Sequence, residues 1–193
     1  CYPCEPGFIE AIVNSIKLGI EKAKQGPQGF KVLFSAHGIP KNFIKSGDPY
    51  QLHVEQTVTC IVKELDVDNL DFVICYQSRV GPAEWLKPYT DQVVIEAAKK
   101  KKALLMVPVA FVSEHSETLV ELDIEYAALA KKNGAPIYMR VPTVGIKRSF
   151  IKGLARMVLS AKTHHRLFPY DFKRICPEMF SGCPYTGNRR GPQ

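Results

Sequence analysis

Apolar positions along the chain fall into two kinds of run that alternate. Residues 6–25, PGFIEAIVNSIKLGIEKAKQ, space Phe8, Ile9, Ile12, Val13, Ile16, Leu18 and Ile20 mostly at helical intervals and end in charge before Gly26-Pro27, which predicts a helix. KVLFSAH, 31–37, is instead continuously apolar and is broken by Gly38 and Pro40, the mark of a buried strand and a loop. The same alternation repeats downstream. Helices are predicted over 50–65, 90–102, about 115–132 and about 147–164, and strands over 72–78, 103–113 and 135–142. The strands are apolar throughout rather than at every second residue, so both faces of the sheet are covered. That pattern predicts an α/β fold with a parallel sheet and helices on each side.

After residue 165 the pattern stops. The segment from Arg166 to Gln193 is rich in Pro, Gly and Arg and has no clear period, so it reads as an irregular extension (166–193) of one domain (1–165). No apolar run approaches the roughly 18 residues of a membrane span, and no signal peptide opens the chain, so a cytosolic home, or a membrane surface reached from the cytosol, is expected. The six cysteines are read as free or metal-binding thiols of a reducing compartment rather than a disulfide framework. The net charge of +7 admits nucleic acid, anionic lipid or an acidic small molecule. Nucleic acid is set aside because no aromatic-basic interleaving or paired metal knuckle accompanies the charge. The densest basic run, Lys99 to Lys102, closes a predicted helix, where it complements the dipole.

Polar residues cluster where strands end. His37 lies at the end of the first strand, Gln77, Ser78 and Arg79 at the end of the second, and Ser113 to Glu117 just past the third. Ligands of open parallel sheets bind beyond the carboxyl ends of the strands, so three strand ends converge on one candidate site. Against the chain's basic balance, FVSEHSETLVELDIEYA (111–127) gathers Glu114, Glu117, Glu121, Asp123 and Glu125. On a helix, Glu117, Glu121 and Glu125 form a carboxylate row with a rise of about 6 Å per step, drifting by about 40° each time unless a π-type turn straightens it. A row of like charges destabilises a helix unless a cation lies on it, and the plain alternative is a solvated helix face. Carboxylates beside the imidazoles of His37 and His115 suit a borderline divalent ion such as Fe²⁺. The remaining histidines, His53, His164 and His165, have no such setting and are assigned no role.

FSAHGIP with GDPY (34–40, 47–50), CYQSRVGPAEWLKPYT (75–90) and VPVAFVSEHSETLVELDIEY (107–126) together resemble the ferrochelatase family, in its order and spacing. The resemblance implies a Rossmann-like chelatase lobe with a four-stranded parallel sheet, and an enzyme that inserts ferrous iron into protoporphyrin IX to form protohaem. It makes His37 and Glu117 the catalytic pair and His37, Glu117, Glu121 and Glu125 the residues that meet or deliver metal. Ser78 and Arg79 match positions near the porphyrin propionates, Trp85 and Phe111 match aromatic positions around the macrocycle, and His115 matches a histidine at the same site.

The resemblance covers only the family's second lobe, so the chain is expected to be part of a two-lobe enzyme, in the cytoplasm or peripheral on the inner membrane. It leaves the oligomeric state open. Alternatives are a non-catalytic fragment that binds metal or haem, or a chelatase acting on coproporphyrin III or another tetrapyrrole. Cys176 and Cys183 resemble part of the ligand set of the [2Fe–2S] cluster found in some members. Tyr185 stands where a further cysteine of that set is expected, so unligated thiols are the expectation.

Overall fold

A computed structural model describes residues 1–163, 168–180, 182, 183 and 185. Its elements are α1 (Pro6–Ala23), β1 (Phe30–His37), α2 (Lys41–Lys45), α3 (Tyr50–Leu65), β2 (Phe72–Gln77), α4 (Thr90–Lys99), β3 (Ala103–Pro108), a π-helix (Glu117–Tyr126), α5 (Ala127–Lys132), β4 (Tyr138–Arg140) and α6 (Arg148–Thr163). The strands form one sheet in the order β2-β1-β3-β4, and every pairing is parallel. This is the expected α/β architecture of a four-stranded parallel sheet flanked by helices.

The continuous apolar runs arise because each strand serves two cores at once. Val32, Phe34 and Ala36 of β1, with Leu105 and Val107 of β3, pack under α1, α3 and α6. The residues between them, Leu33, Leu104 and Met106, pack on the opposite face with Val94 and Ala98 of α4 and Leu122 of the π-helix. Successive side chains of a strand point to opposite faces, so a strand with both faces covered has no polar phase. The α1 N-terminus is held by Glu5, whose carboxylate accepts from the Phe8 N–H at 2.7 Å and pairs with Arg156 of α6.

Several boundaries differ from the sequence reading. The strand expected over 103–113 stops at Pro108, because Ala110 adopts φ +64° and turns the chain away from the sheet. The helix expected over 90–102 ends at Lys99, and Lys101 at φ +56° closes it. β4 is three residues long, and α2 was not foreseen. The thiol expectation is corrected at one pair. Cys4 and Cys60 form a disulfide, since the packing of α1 on α3 brings their Cα atoms to 5.9 Å, while Cys1, Cys75, Cys176 and Cys183 are free.

The boundary drawn at residue 165, and with it His164 and His165, lies outside the described residues. The described tail lies over the start of the chain: Tyr170 N–H donates to the Cys1 carbonyl, and Cys176 Sγ stands 3.3 Å from His53 Nε2 on α3. Among the described residues no helix is long and apolar enough to cross a membrane.

Candidate active site

The ends of β1 and β2 and the start of the π-helix meet as the parallel-sheet rule anticipates. His37 closes β1, and its Nδ1 lies 2.7 Å from Glu117 Oε2, the first residue of the π-helix. Both side chains remain a little over one-third exposed, 39% for His37 and 36% for Glu117. Tyr50 fixes the backbone beneath them by donating its hydroxyl to the His37 carbonyl at 2.8 Å. Burial, with the Glu117 charge adding to it, pushes the Tyr50 hydroxyl up to about 12, so it remains a neutral donor. Gly38 follows because a Cβ there would sit 2.9 Å from the Gln77 carbonyl and 3.3 Å from the Trp85 ring.

Glu121 is held differently. Gln77 Nε2 donates to its Oε2 at 3.0 Å, the Ser78 N–H to its Oε1 at 2.8 Å, and the Tyr126 hydroxyl to its Oε1 at 2.7 Å. The Ser78 hydroxyl is a fourth donor. No cation is among these partners. Ser78 reaches the carboxylate with both groups because it sits at φ +64°, a left-handed conformation that a non-glycine residue seldom adopts. Gln77 is itself oriented from below: Ser35 Oγ donates to its Oε1 at 2.8 Å, which aims its Nε2 at Glu121 and at the Glu117 carbonyl, 2.9 Å away. Ser35 in turn lies 3.1 Å from Thr90 Oγ1.

The π-helical turn explains how these contacts coexist. Bonding i to i+5 widens the turn, so residues four and five apart share a face. Tyr126 therefore reaches back to Glu121, five residues earlier, while Thr118 and Leu122 turn inward and are fully buried. His115 closes the start of the helix, its Nδ1 accepting from the Glu117 N–H at 3.2 Å.

Two other acids of this stretch share one partner. Arg140 of β4 donates to Asp123 at 2.6 and 2.8 Å and to Glu114 at 3.0 Å. Burial alone would raise the Glu114 carboxyl, but hydrogen bonds from the Thr118 hydroxyl, the Thr143 N–H and Arg140 together hold it below its usual range. Glu125 is exposed.

Arg79 is exposed, pairs with Asp91 at 2.9 Å and stacks 3.9 Å over the Tyr89 ring. Trp85 is buried, with its indole N–H donating to the Val80 carbonyl at 3.1 Å. Phe111 is buried with its ring 5.2 Å from that of His115. The structure thus joins His37 to Glu117 and Ser78 to Glu121, places Phe111 against His115, and ties Arg79 to a protein carboxylate.

Tyr126 and Tyr50 are positioning residues that sequence reasoning passed over, and Gln77, which its strand end had placed at the site, was given no role there. The available signal was a polar pair, Ser35 and Gln77, inside otherwise apolar strands.

Among the described residues no group of three or more His, Cys, Asp or Glu side chains stands ready to hold a metal ion. The [2Fe–2S] ligand set does not fit this chain's thiols. Cys4 and Cys60 are consumed by their disulfide, and Cys75 is sealed in the core, where burial pushes its thiol up to about 12. Cys176 lies against the His53 imidazole and beside Cys183, so the chain brings two thiols together there rather than four.

A sequence model of the family described as Ferrochelatase matches residues 1–162. Proteins named ferrochelatase from Pelagibacter ubique (strain HTCC1062) and Rickettsia prowazekii (strain Madrid E) are 46% and 47% identical to the chain over 187 and 186 residues, and the one from Rickettsia typhi (strain ATCC VR-144 / Wilmington) is 48% identical over 186. Each alignment covers 95% of this chain and 53% of the relative, so the chain spans about half the length of the curated relatives it matches. With the site's histidine and glutamate in contact and the family's sequence pattern running through nearly the whole domain, the chain belongs to the ferrochelatase family.

Proposed function

We propose that this chain carries the metallating pair of a ferrochelatase, which inserts ferrous iron into protoporphyrin IX to give protohaem. The reading rests on one observation above the others, the 2.7 Å contact between His37 Nδ1 and Glu117 Oε2 at the end of β1. Metallation exchanges two pyrrole protons for one dication, so two protons must leave the ring. With Glu117 ionised, Nδ1–H donates to its carboxylate, and that tautomer leaves the Nε2 lone pair free to accept a pyrrole proton. The imidazolium so formed faces the Glu117 charge, which favours the transfer and holds the ring in place.

The acidic row gives metal and protons a route. It runs from exposed Glu125 through Glu121 to the half-buried Glu117, and oxygen ligands along it can replace the waters of Fe²⁺ stepwise. Glu121 spends the four lone-pair sites of its carboxylate on neutral donors, so it takes a passing cation by releasing one of them. For the porphyrin, Asp91 takes two of the five guanidinium donors of Arg79, which leaves three for a propionate. Ser78 already spends its N–H and hydroxyl on Glu121, so its part is to place that carboxylate as much as to meet substrate. Trp85 backs the His37–Gly38 turn and Phe111 backs His115, stiffening the surface on which the macrocycle lies. Val80, Val112 and Leu119, next in sequence to or two beyond site residues, are exposed and supply an apolar surface for a flat ring. A cytoplasmic protein that works at a membrane surface is consistent with this substrate.

Anaerobic Fe²⁺ insertion followed by absorbance, with Zn²⁺ in parallel, tests the reading on this chain, on a full-length relative, and on His37→Ala and Glu117→Gln in each. Loss of about 10²–10⁴-fold in both variants is expected where the parent turns over. Unchanged turnover in His37→Ala would sink the base assignment. Turnover confined to the full-length protein would make this chain a metal- or porphyrin-binding part of it.

A further inference from the structure

The π-helix that carries Glu117 and Glu121 is long for its kind, and its own backbone does not account for it. Such turns are rare and mostly single, yet Glu117–Tyr126 keeps the wide turn for ten residues. Beside it runs β4, a strand of three residues whose first and last side chains both reach the helix. Tyr138 and Arg140 stand two apart and so point to one face of the sheet, while Met139 packs on the other. The Tyr138 hydroxyl donates to the Leu122 carbonyl at 2.6 Å, which ties the helix backbone to the strand.

Arg140 does more than neutralise two acids. Its side chain is only 10% exposed, and every nitrogen of its guanidinium is spent on the protein. Nε and Nη2 donate to the two oxygens of Asp123 at 2.6 and 2.8 Å, and Nη1 donates to Glu114 at 3.0 Å and to the Val141 carbonyl at 3.2 Å. Glu114 is steadied in turn by the Thr143 N–H at 2.9 Å. Glu114 precedes the helix and Asp123 lies within it, so one planar group clamps both points, and Glu117 and Glu121 lie between them. The clamp has an angle as well as a length, because a bidentate guanidinium–carboxylate pair holds both groups in one plane. An α-helix turns about 100° per residue and an i to i+5 helix turns less. Tightening the helix between Glu117 and Asp123 would therefore carry Asp123 round the axis and off the fork.

We propose that Arg140 is a positioning residue of the metallating site: by holding the wide turn, it keeps Glu117 against His37 and Glu121 in line behind it. What that alignment serves rests on the chelatase reading above, whereas the hold of Arg140 on the helix does not.

The test uses the whole chain with two readouts. Nuclear Overhauser contacts between Glu121 and the Tyr126 ring report the wide turn, since an α-helix sets residues five apart at about 140° from each other. Calorimetric titration with Zn²⁺, with His37→Ala as the control, reports the site. Arg140→Gln alone would strand two carboxylates, so two other variants are compared. Arg140→Lys keeps the charge and loses the fork, and Arg140→Gln/Glu114→Gln/Asp123→Asn leaves no charge unpaired. In both, the Glu121–Tyr126 contact is expected to disappear and Zn²⁺ affinity to fall about tenfold, the low end for residues that support metal ligands. The triple variant should do so while unfolding in urea near the parent's midpoint. Parent-like Zn²⁺ affinity in that variant would reduce Arg140 to charge neutralisation and overturn the positioning role. Retention of the Glu121–Tyr126 contact in both variants would overturn its hold on the helix. Equal Zn²⁺ affinity in the parent and in His37→Ala would instead sink the chelatase reading, and the Glu121–Tyr126 contact would still decide whether Arg140 holds the turn.

Discussion

Five acids within twelve positions of a basic chain find four different electrostatic solutions. Glu114 and Asp123 neutralise Arg140, Glu117 meets an imidazole, Glu121 rests on neutral donors, and Glu125 faces solvent. Residues with the same spacing therefore differ in what their removal costs. Tyr126→Phe takes a donor from a part-buried carboxylate and is expected to cost about 1.5–3 kcal/mol by urea denaturation. Glu125→Gln alters an exposed side chain with no hydrogen bond or ion pair among the described residues and should stay within about 0.5 kcal/mol. Equal costs for the two would mean that Glu121 is not anchored as described. Sequence made the His37–Glu117 meeting legible because His37 ends one strand and Glu117 follows the end of its neighbour, and parallel sheets bring such ends together. It could not show that Gln77 orders Glu121, because that depends on which way an amide is turned by Ser35, a contact between residues 42 positions apart.

At the scale of elements, helix and strand types were readable because both faces of the sheet are buried, so continuous and periodic runs have different causes. Ends were less readable. Ala110 and Lys101 terminate their elements through left-handed backbone at residues with no intrinsic preference for it, and tertiary packing decides such cases. The π-helix is another such case, since an i to i+5 turn has no distinct hydrophobic period over ten residues, and only the Glu121–Tyr126 pair, five apart, records it.

Packing between elements has its own sharp test. α1 and α6 come close together at Gly7, where a Cβ would stand 2.2 Å from the Ser149 carbonyl oxygen, a backbone atom that cannot swing aside. Gly7→Ala must separate the two helices and is expected to cost about 1–3 kcal/mol. That exceeds the gain of up to about 1 kcal/mol that a glycine replacement gives in an unstrained helix. A stabilised variant in thermal or urea unfolding would show that the helices do not cross at this distance.

For the molecule as a whole, the double-sided sheet that brings the site together also seals titratable groups that never ionise near neutrality. Cys75 on β2 is fully buried, and burial, only partly offset by Ser35 and Thr90, raises its thiol to about 12. Cys176 is raised as well, by burial first, and Tyr76, Tyr126 and Tyr138 are raised by the same cause. In each case the unfolded chain releases its proton at a lower pH than the folded one. Between the two values the folded state binds more protons, so stability falls as pH rises. The stabilising contribution of Cys75 is complete below about pH 9 and is lost progressively towards pH 12, at up to about 1.4 kcal/mol per pH unit.

The tyrosines add to the slope from about pH 10 upward, so among the groups raised by burial the thiols act first. Urea unfolding of the parent and of Cys75→Ala between pH 7 and 11 separates the linkage from the packing. The variant should be less stable at pH 7, having lost a packed sulfur, and should decline less steeply above pH 9, so that the curves converge. Parallel curves would mean that the Cys75 thiol ionises as readily in the folded protein as in the unfolded chain, and that water reaches the face of the sheet beneath α4.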